Sequence, residues 1–449
     1  MMLSKGFLAG FVYGSYEGGE YMVSNTRLAR ISSADDIDLN QNMISLGAIG
    51  YPNWVVFSWY RDVSYANDEY GCTAVPNIFH LWAVNLEELN GQTPPNVPHV
   101  NLLGSECTPH WVWGNILAFA RNGHKYIAVG GGRYTGSSMI APRIVIIDVS
   151  DITNPDVVKT LEDSGTRGAN NYIAYCPDSD AFYVQTSDNV LRRGTFDEVV
   201  SASSLTELTE VKSYSEHRDI IPVSLSKALI CSGSECDVLD MVSGSIVDTF
   251  TKDSGLWVQG AKNLFFMVFD SSRNVIGVRK YDPDTLTVLD TYTLTESIPS
   301  PDPNWARAIH VSGDIILYVV GNTMYVINFA NKQVSTKTLP IGVGATTPIP
   351  VYNGKLVMFE VGDSHAHTNG WLDLVELDDY IYIVYDSANR RIRVVDKNGN
   401  PVANRTVYIA EVVPSTWIVR GIRPIGSRTT DQDGYVDISD LSGMLRIEA

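Results

Sequence analysis

Hydrophobic positions in this chain fall in short runs separated by polar clusters, and almost never at helical spacing. Ile116–Phe119, Ile144–Ile147, Ile315–Val320 and Leu356–Phe359 are apolar runs, long enough for a buried strand and too short for a helix. Others run into a turn. Met324–Phe329 is one, and Val275–Tyr281 is followed by Asp-Pro-Asp-Thr and then Leu286–Leu294, which reads as strand, polar turn, strand. The best helical window, Thr195–Leu208, is short and polar and predicts one turn between strands.

Grouped together, the runs make seven units, at 52–102, 114–163, 170–212, 218–251, 256–295, 304–340 and 346–386. A period of about 35–50 residues fits a β-propeller of four-stranded blades. Residues 1–50 carry strands near Phe7–Tyr13, Tyr21–Val23 and Leu28–Ile31, which either complete the last blade or form an eighth, so six to eight blades stay open. Stacked sandwiches would need a regular Greek-key spacing that the chain does not show.

One stretch supports the repeat reading. Arg143-Ile-Val-Ile-Ile-Asp-Val-Ser-Asp-Ile-Thr-Asn-Pro155 is a β-branched run that stops at an aspartate and turns through Ser, Asp and Asn. It resembles the repeat of propellers named for the string Leu-Val-Ile-Val-Asp, and the resemblance implies a binding scaffold. Beyond Asp386 the pattern changes. Arg391–Asp396, Asn398-Gly399, Pro401-Val402 and Asp433-Gly434-Tyr435 alternate strand, tight turn and strand. Residues 391–449 resemble the small β-sandwich of carboxypeptidase-regulatory or bacterial immunoglobulin-like domains, which implies a non-catalytic spacer or adhesive unit. The expectation is therefore an all-β chain, with a β-propeller of about seven blades at 1–386 followed by an immunoglobulin-like β-sandwich at 387–449.

Composition agrees: of 449 residues 44 % are apolar and only 19 % charged, and Tyr (23) and Trp (9) are plentiful. The net charge of −18 repels nucleic acid and anionic membrane, so neither is an expected partner. Residues 389–449 hold nine Lys and Arg against seven Asp and Glu, so the first 388 residues carry −20 and the two parts have different surfaces. No run approaches the roughly 20 apolar residues of a membrane-spanning helix. The start has one lysine, a short apolar patch at Gly6–Val12 and no small-residue cleavage site, which predicts a chain not secreted by the usual route.

The five cysteines form no metal pattern. Cys231 and Cys236 could close a hairpin, and Cys72 and Cys107 could pair, leaving Cys176 odd; a large core needs no staples, so buried or incidental thiols are expected. His365 and His367 could offer two imidazoles to a metal, but the Asn369-Gly370 signal after them predicts a solvated loop tip. Gly130-Gly-Gly-Arg-Tyr-Thr-Gly136 lacks the Lys and the following helix of a phosphate loop and predicts a flexible hairpin tip. Asp35–Asp38 lacks calcium-loop spacing, and no nucleophile elbow or triad is visible, so no catalytic residue, metal or cofactor is expected.

Aromatic density points to binding. Tyr51, Trp54, Trp59, Tyr60, Tyr65 and Tyr70 lie close together, and His110, Trp111 and Trp113 follow. Alternate members are expected in the core, Trp54 and Val56 among them. The candidate ligand-binding residues are Trp59, Tyr60, Tyr65, Tyr70, Trp111, Trp113 and Tyr134, since Trp and Tyr faces stack on sugars or anchor interfaces. The functional expectation is a non-enzymatic structural or host-attachment protein of a virus particle. It would sit in the virion, bind other virion proteins or host glycan through propeller loops, and assemble as a symmetric homo-oligomer. The alternatives are a cell-surface adhesion protein and a carbohydrate-active propeller hydrolase or lyase.

Overall fold

Short β-branched and aromatic runs between Asn, Asp and Gly turns form strands along most of the chain. A computed structural model places 59 % of it in strands and 5 % in helix, so the protein is all-β. The structure describes residues 9–13, 23–30, 37–61, 78–91, 96–103, 114–134, 140–163, 165, 172–299, 308–320, 322–338, 351–352, 355–361, 370–377, 381–386, 388–396, 398–415 and 421–449. Within these, the side chains of 9–13, 23–30, 37–42, 59–61, 78–80, 132–134, 140–141, 308–310, 312, 382 and the strands of 351–377 are left aside.

Six sheets in succession are four-stranded meanders of consecutive strands, spanning residues 37–101, 116–162, 173–213, 219–251, 255–298 and 308–338. The first begins at Ile37, well before residue 52, because Ile37–Ser45 pairs with Trp54–Arg61. A seventh sheet has three consecutive strands, Val351–Tyr352, Lys355–Val361 and Gly370–Leu377. Its fourth comes from the other end of the chain: Val23–Arg30 lies antiparallel to Gly370–Leu377. In the second to fifth sheets the pairing of the third and fourth strands shifts register, a bulge that adds twist at the outer edge.

The strand Ile140–Asp148 is the third of its meander, and Ile144, Ile146 and Ile147 are fully buried. It stops at Asp148 because that carboxylate accepts from the Ser150 amide (2.8 Å), and Asp151 next accepts from Thr153 (3.0 Å), closing the turn. The glycines Gly130–Gly132 are not a loop tip. They continue the strand His124–Tyr134 and pair with Ile144, Arg143 and Pro142. The polar window after Thr195 forms a helix at Phe196–Ser201. Thr195 Oγ1 accepts from the Glu198 amide and Glu198 accepts from the Thr195 amide (2.7 Å), a reciprocal cap.

Cys231 and Cys236 form a disulfide, where incidental thiols were expected. The two-residue turn Gly233-Ser234 sets them directly opposite each other, with Cα atoms 4.1 Å apart, as in a non-hydrogen-bonded cross-strand pair. Cys176 is buried and free. Among the described residues no helix is long and apolar enough to cross a membrane.

The remaining strands make two further sheets. One has the order Ala9–Tyr13, Met444–Glu448, Thr406–Val413, Gly421–Thr429, with the first pair parallel. The other joins Ile381–Asp386, Arg391–Asp396 and Tyr435–Asp437, so the run at 381–386 pairs forward and not with the preceding sheet. Ile392, Val394, Val407, Ile409, Leu445 and Ile447 form a shared core between the two sheets.

The four-stranded C-terminal sheet touches all seven meander-type sheets, mainly at the first strand or the turn after it. It packs on Gly47–Ile49 of the first sheet and Val351–Tyr352 of the seventh. In the second, the Ala118 amide donates to Pro414 O (2.9 Å) and Leu117 bridges to Ser415. Asn115 donates both to Ser415 Oγ (3.1 Å) and to Ile173 O of the third sheet (2.9 Å). Arg423 grips Asp178 of the third sheet with two nitrogens (2.6 and 3.1 Å). Gly421 lies against Ser224 and Leu225 of the fourth.

The tightest contact is with the fifth and sixth sheets. Arg446 and Glu448, 2 % and 1 % exposed, pair at 2.7 Å. Arg446 donates to Gln259 O (3.1 Å) and Val311 O (2.6 Å), while Glu448 accepts from the amides of Ala261 (2.8 Å) and Gly313 (2.9 Å). Gly260 makes this approach feasible: a Cβ there would stand 2.8 Å from Val311 and 3.2 Å from the Glu448 carboxylate.

Candidate functional site

Of the seven aromatic residues singled out by sequence, the structure describes the backbone of three. Trp59 and Tyr60 stand on the strand Trp54–Arg61 opposite His80 and Phe79, and Tyr134 ends the strand His124–Tyr134 opposite Ile140. Their side chains are not described, and Tyr65, Tyr70, Trp111 and Trp113 lie outside the described residues, as do His365 and His367. Trp54 packs on the core, and Val56 is fully buried. Tyr51 has a structural role: its hydroxyl donates to Val149 O and Ser150 O (both 2.7 Å), and Lys125 sits 3.9 Å above its ring. It straps the first sheet to the second.

A cleft of about 970 Å³ opens elsewhere, between the outer strands of the fifth and sixth sheets. One wall is Val288–Ile298. Its ladder to Val275–Tyr281 runs to the pair Gly277–Thr293 and resumes at Val275–Ile298, so residues 294–297 bulge out of register. The side chain of Leu294 turns inward to the core, leaving Thr295, Glu296 and Ser297 on the cleft wall. Gly277 permits this crossing, since a Cβ there would approach Tyr292 O to 2.9 Å.

The opposite wall is the hairpin from Thr323–Asn328 to Gln333–Thr338. It presents Tyr325, Asn328, Asn331, Gln333, Ser335 and Thr336 to the cleft. The turn is set by Asn328, whose side chain accepts from the Asn331 amide (3.2 Å), and by Lys332 at φ +57. That conformation lays Lys332 Nζ 3.5 Å above the Phe329 ring and brings it 2.6 Å from Asp290 of the neighbouring sheet. Hydrogen bonding from Lys332 holds the Asp290 carboxyl below the usual range, so Asp290 stays a carboxylate at neutral pH and faces the lysine as its counter-charge.

The chemistry of the cleft follows from its inventory. Glu296 is the one acidic side chain among the lining residues, and there is no His, Cys or second carboxylate. Glycoside hydrolysis uses two carboxylates roughly 5–10 Å apart, which this lining does not supply. Among the described residues no group of three His, Cys, Asp or Glu gathers in a way that could hold a metal. What the walls offer is amides, hydroxyls and the half-buried Tyr325, groups that donate and accept hydrogen bonds. No family model matches the chain, and a search of curated proteins finds no relative. Sequence reading passed over the cleft because its polar residues are scattered over the edge strand of one sheet and the last hairpin of the next, with no motif to mark them.

Proposed function

We propose that the chain is a seven-bladed β-propeller closed at one end by an immunoglobulin-like sandwich, acting as a non-enzymatic structural or attachment component of a virus particle. Seven consecutive sheets whose first strands or following turns touch one common C-terminal sheet fit blades arranged around an axis. The strand Val23–Arg30, completing the seventh sheet, fits closure of the ring by the N-terminus. On this reading the sandwich includes the strand from Ile381, a few residues earlier than the 386 boundary, and borrows Ala9–Tyr13 as an edge strand.

The observation that carries the non-enzymatic reading is the position of Val413–Ser415. This end of the strand Thr406–Val413 lies against the first strand of the second sheet, where a propeller enzyme would keep its central funnel open. Function then moves to the rim and the loops, which bind protein or glycan. The Cys231–Cys236 disulfide favours surroundings outside a reducing cytosol, which suits a particle surface and equally a cell-surface adhesion protein.

Screening the purified chain against glycans and assaying every binder for product by mass spectrometry tests the main claim. Binding without turnover is expected, and product formation would overturn it. Proteomics of purified particles against protease-shaved cells separates the virion from the cell surface, the first being the expected location.

A further inference from the structure

Resting on the binding reading above, we propose that the cleft between the fifth and sixth sheets is a binding site for a neutral oligosaccharide. Its size lies at the upper end of the roughly 300–1,000 Å³ typical of ligand clefts. Sugar hydroxyls are recognised by groups that both donate and accept, and carboxamides and hydroxyls do so without imposing a charge. Asn331 and Gln333 on one wall, with Ser335 and Thr336, face Thr295 and Ser297 on the other. Tyr325, half-buried, adds an aromatic ring that can stack on the apolar face of a pyranose, with the buried Tyr292 behind the wall.

Charge decides the ligand class. The chain carries −18, yet the cation of the cleft is already held by Asp290 and only Glu296 remains, so an anionic glycan meets repulsion with no free counter-charge. An extended peptide added to the edge of Gln333–Thr338 would need a regular ladder along its path. The facing wall, bulged at 294–297, offers such a peptide no second ladder, while polar side chains spread over both walls suit a polyhydroxylated ligand.

The test is titration calorimetry of the full chain with neutral hexasaccharides of glucose, mannose, galactose and N-acetylglucosamine. A sulfated hexasaccharide and a library of extended peptides serve as comparisons. Ser335→Trp fills the cleft from an exposed position, and the double variant Asn331→Ala/Gln333→Ala removes exposed amides; unchanged thermal unfolding shows that each still folds. At least one neutral saccharide is expected to bind, with affinity abolished by Ser335→Trp and reduced about tenfold in the double variant. Neutral-saccharide binding untouched by both variants would overturn the cleft while leaving attachment elsewhere intact. Binding of only the sulfated sugar or only peptide, or of no neutral saccharide, would overturn it as well. Cleft-dependent hydrolysis would keep the site and sink the non-enzymatic reading.

Discussion

Two ion pairs of nearly equal length sit in opposite surroundings. Arg446–Glu448, at 2.7 Å, is closed off where the C-terminal sheet meets the fifth and sixth sheets, while Lys332–Asp290, at 2.6 Å, ties a cleft-lining lysine to the fifth sheet with side chains 35 % and 53 % exposed. Distance therefore says little about what each does. The first has lost its water, so its two charges depend on each other and on four backbone groups. The second keeps its water and is screened, so it positions a lysine without holding the fold together.

The largest break in this contrast should come from Glu448→Ala, which strands a buried guanidinium and two backbone amides. A loss of about 3–5 kcal/mol in urea unfolding is expected. Arg446→Met combined with Glu448→Leu should recover only part of it, because the Ala261 and Gly313 amides stay unpaired. A loss under about 1 kcal/mol from the single variant would mean that the pair is hydrated.

Opening the disulfide by Cys231→Ser with Cys236→Ser comes next. Chain-entropy reasoning for so short a loop gives about 2 kcal/mol, read as the difference between wild type and variant in denaturant. Arg423→Ala removes the bidentate contact to Asp178 and the contact to Glu411. With 42 % of its side chain exposed, about 1 kcal/mol is expected, falling as salt is raised.

Lys212–Asp237 (2.6 Å) sharpens the comparison because it is buried on one side only, with exposures of 41 % and 8 %. Burial pushes the Asp237 carboxyl up, but hydrogen bonds from Lys212 and Tyr214, with the charge of Arg218, outweigh it and leave the group below its ordinary 3.8. A carboxyl depressed in the folded state favours folding above its unfolded value, and the benefit is lost as pH falls through the folded value. Asp237→Asn should therefore be less stable than wild type at neutral pH, with the gap closing below about pH 5. A gap independent of pH would assign the effect to packing. Lys332→Ala, the smallest, should leave unfolding unchanged within error, and a clear destabilisation would place the rim with the rigid centre.

How much of this was legible varies with range. The strand at Ile144–Ile147, the Asp-capped turn after it and the Asn-Gly and Asp-Gly turns of the C-terminal part all depend on neighbours a few residues away, and the boundaries of the second to sixth units followed closely, unlike those of the first and seventh. The helix at Phe196–Ser201 carried its capping pair, Thr195 and Glu198, in plain view. Arg446 and Glu448 were illegible for a physical reason. Met444-Leu-Arg-Ile-Glu448 alternates as an edge strand with one wet face would, yet its polar face is buried by groups 135 and 187 residues away in the chain. The aromatic cluster at 51–70 drew attention by density, while the cleft assembles single residues from two sheets.

By itself the sequence determined the class of structure, the positions of most strands and the chemistry of the turns, because period-two alternation and turn hydrogen bonds are local. Tertiary structure decided which far strand completes the seventh sheet, which charges lose their water and where the outer strands part to leave a cleft. Those outcomes depend on which surfaces meet, and a strand's own residues do not specify what will cover its second face.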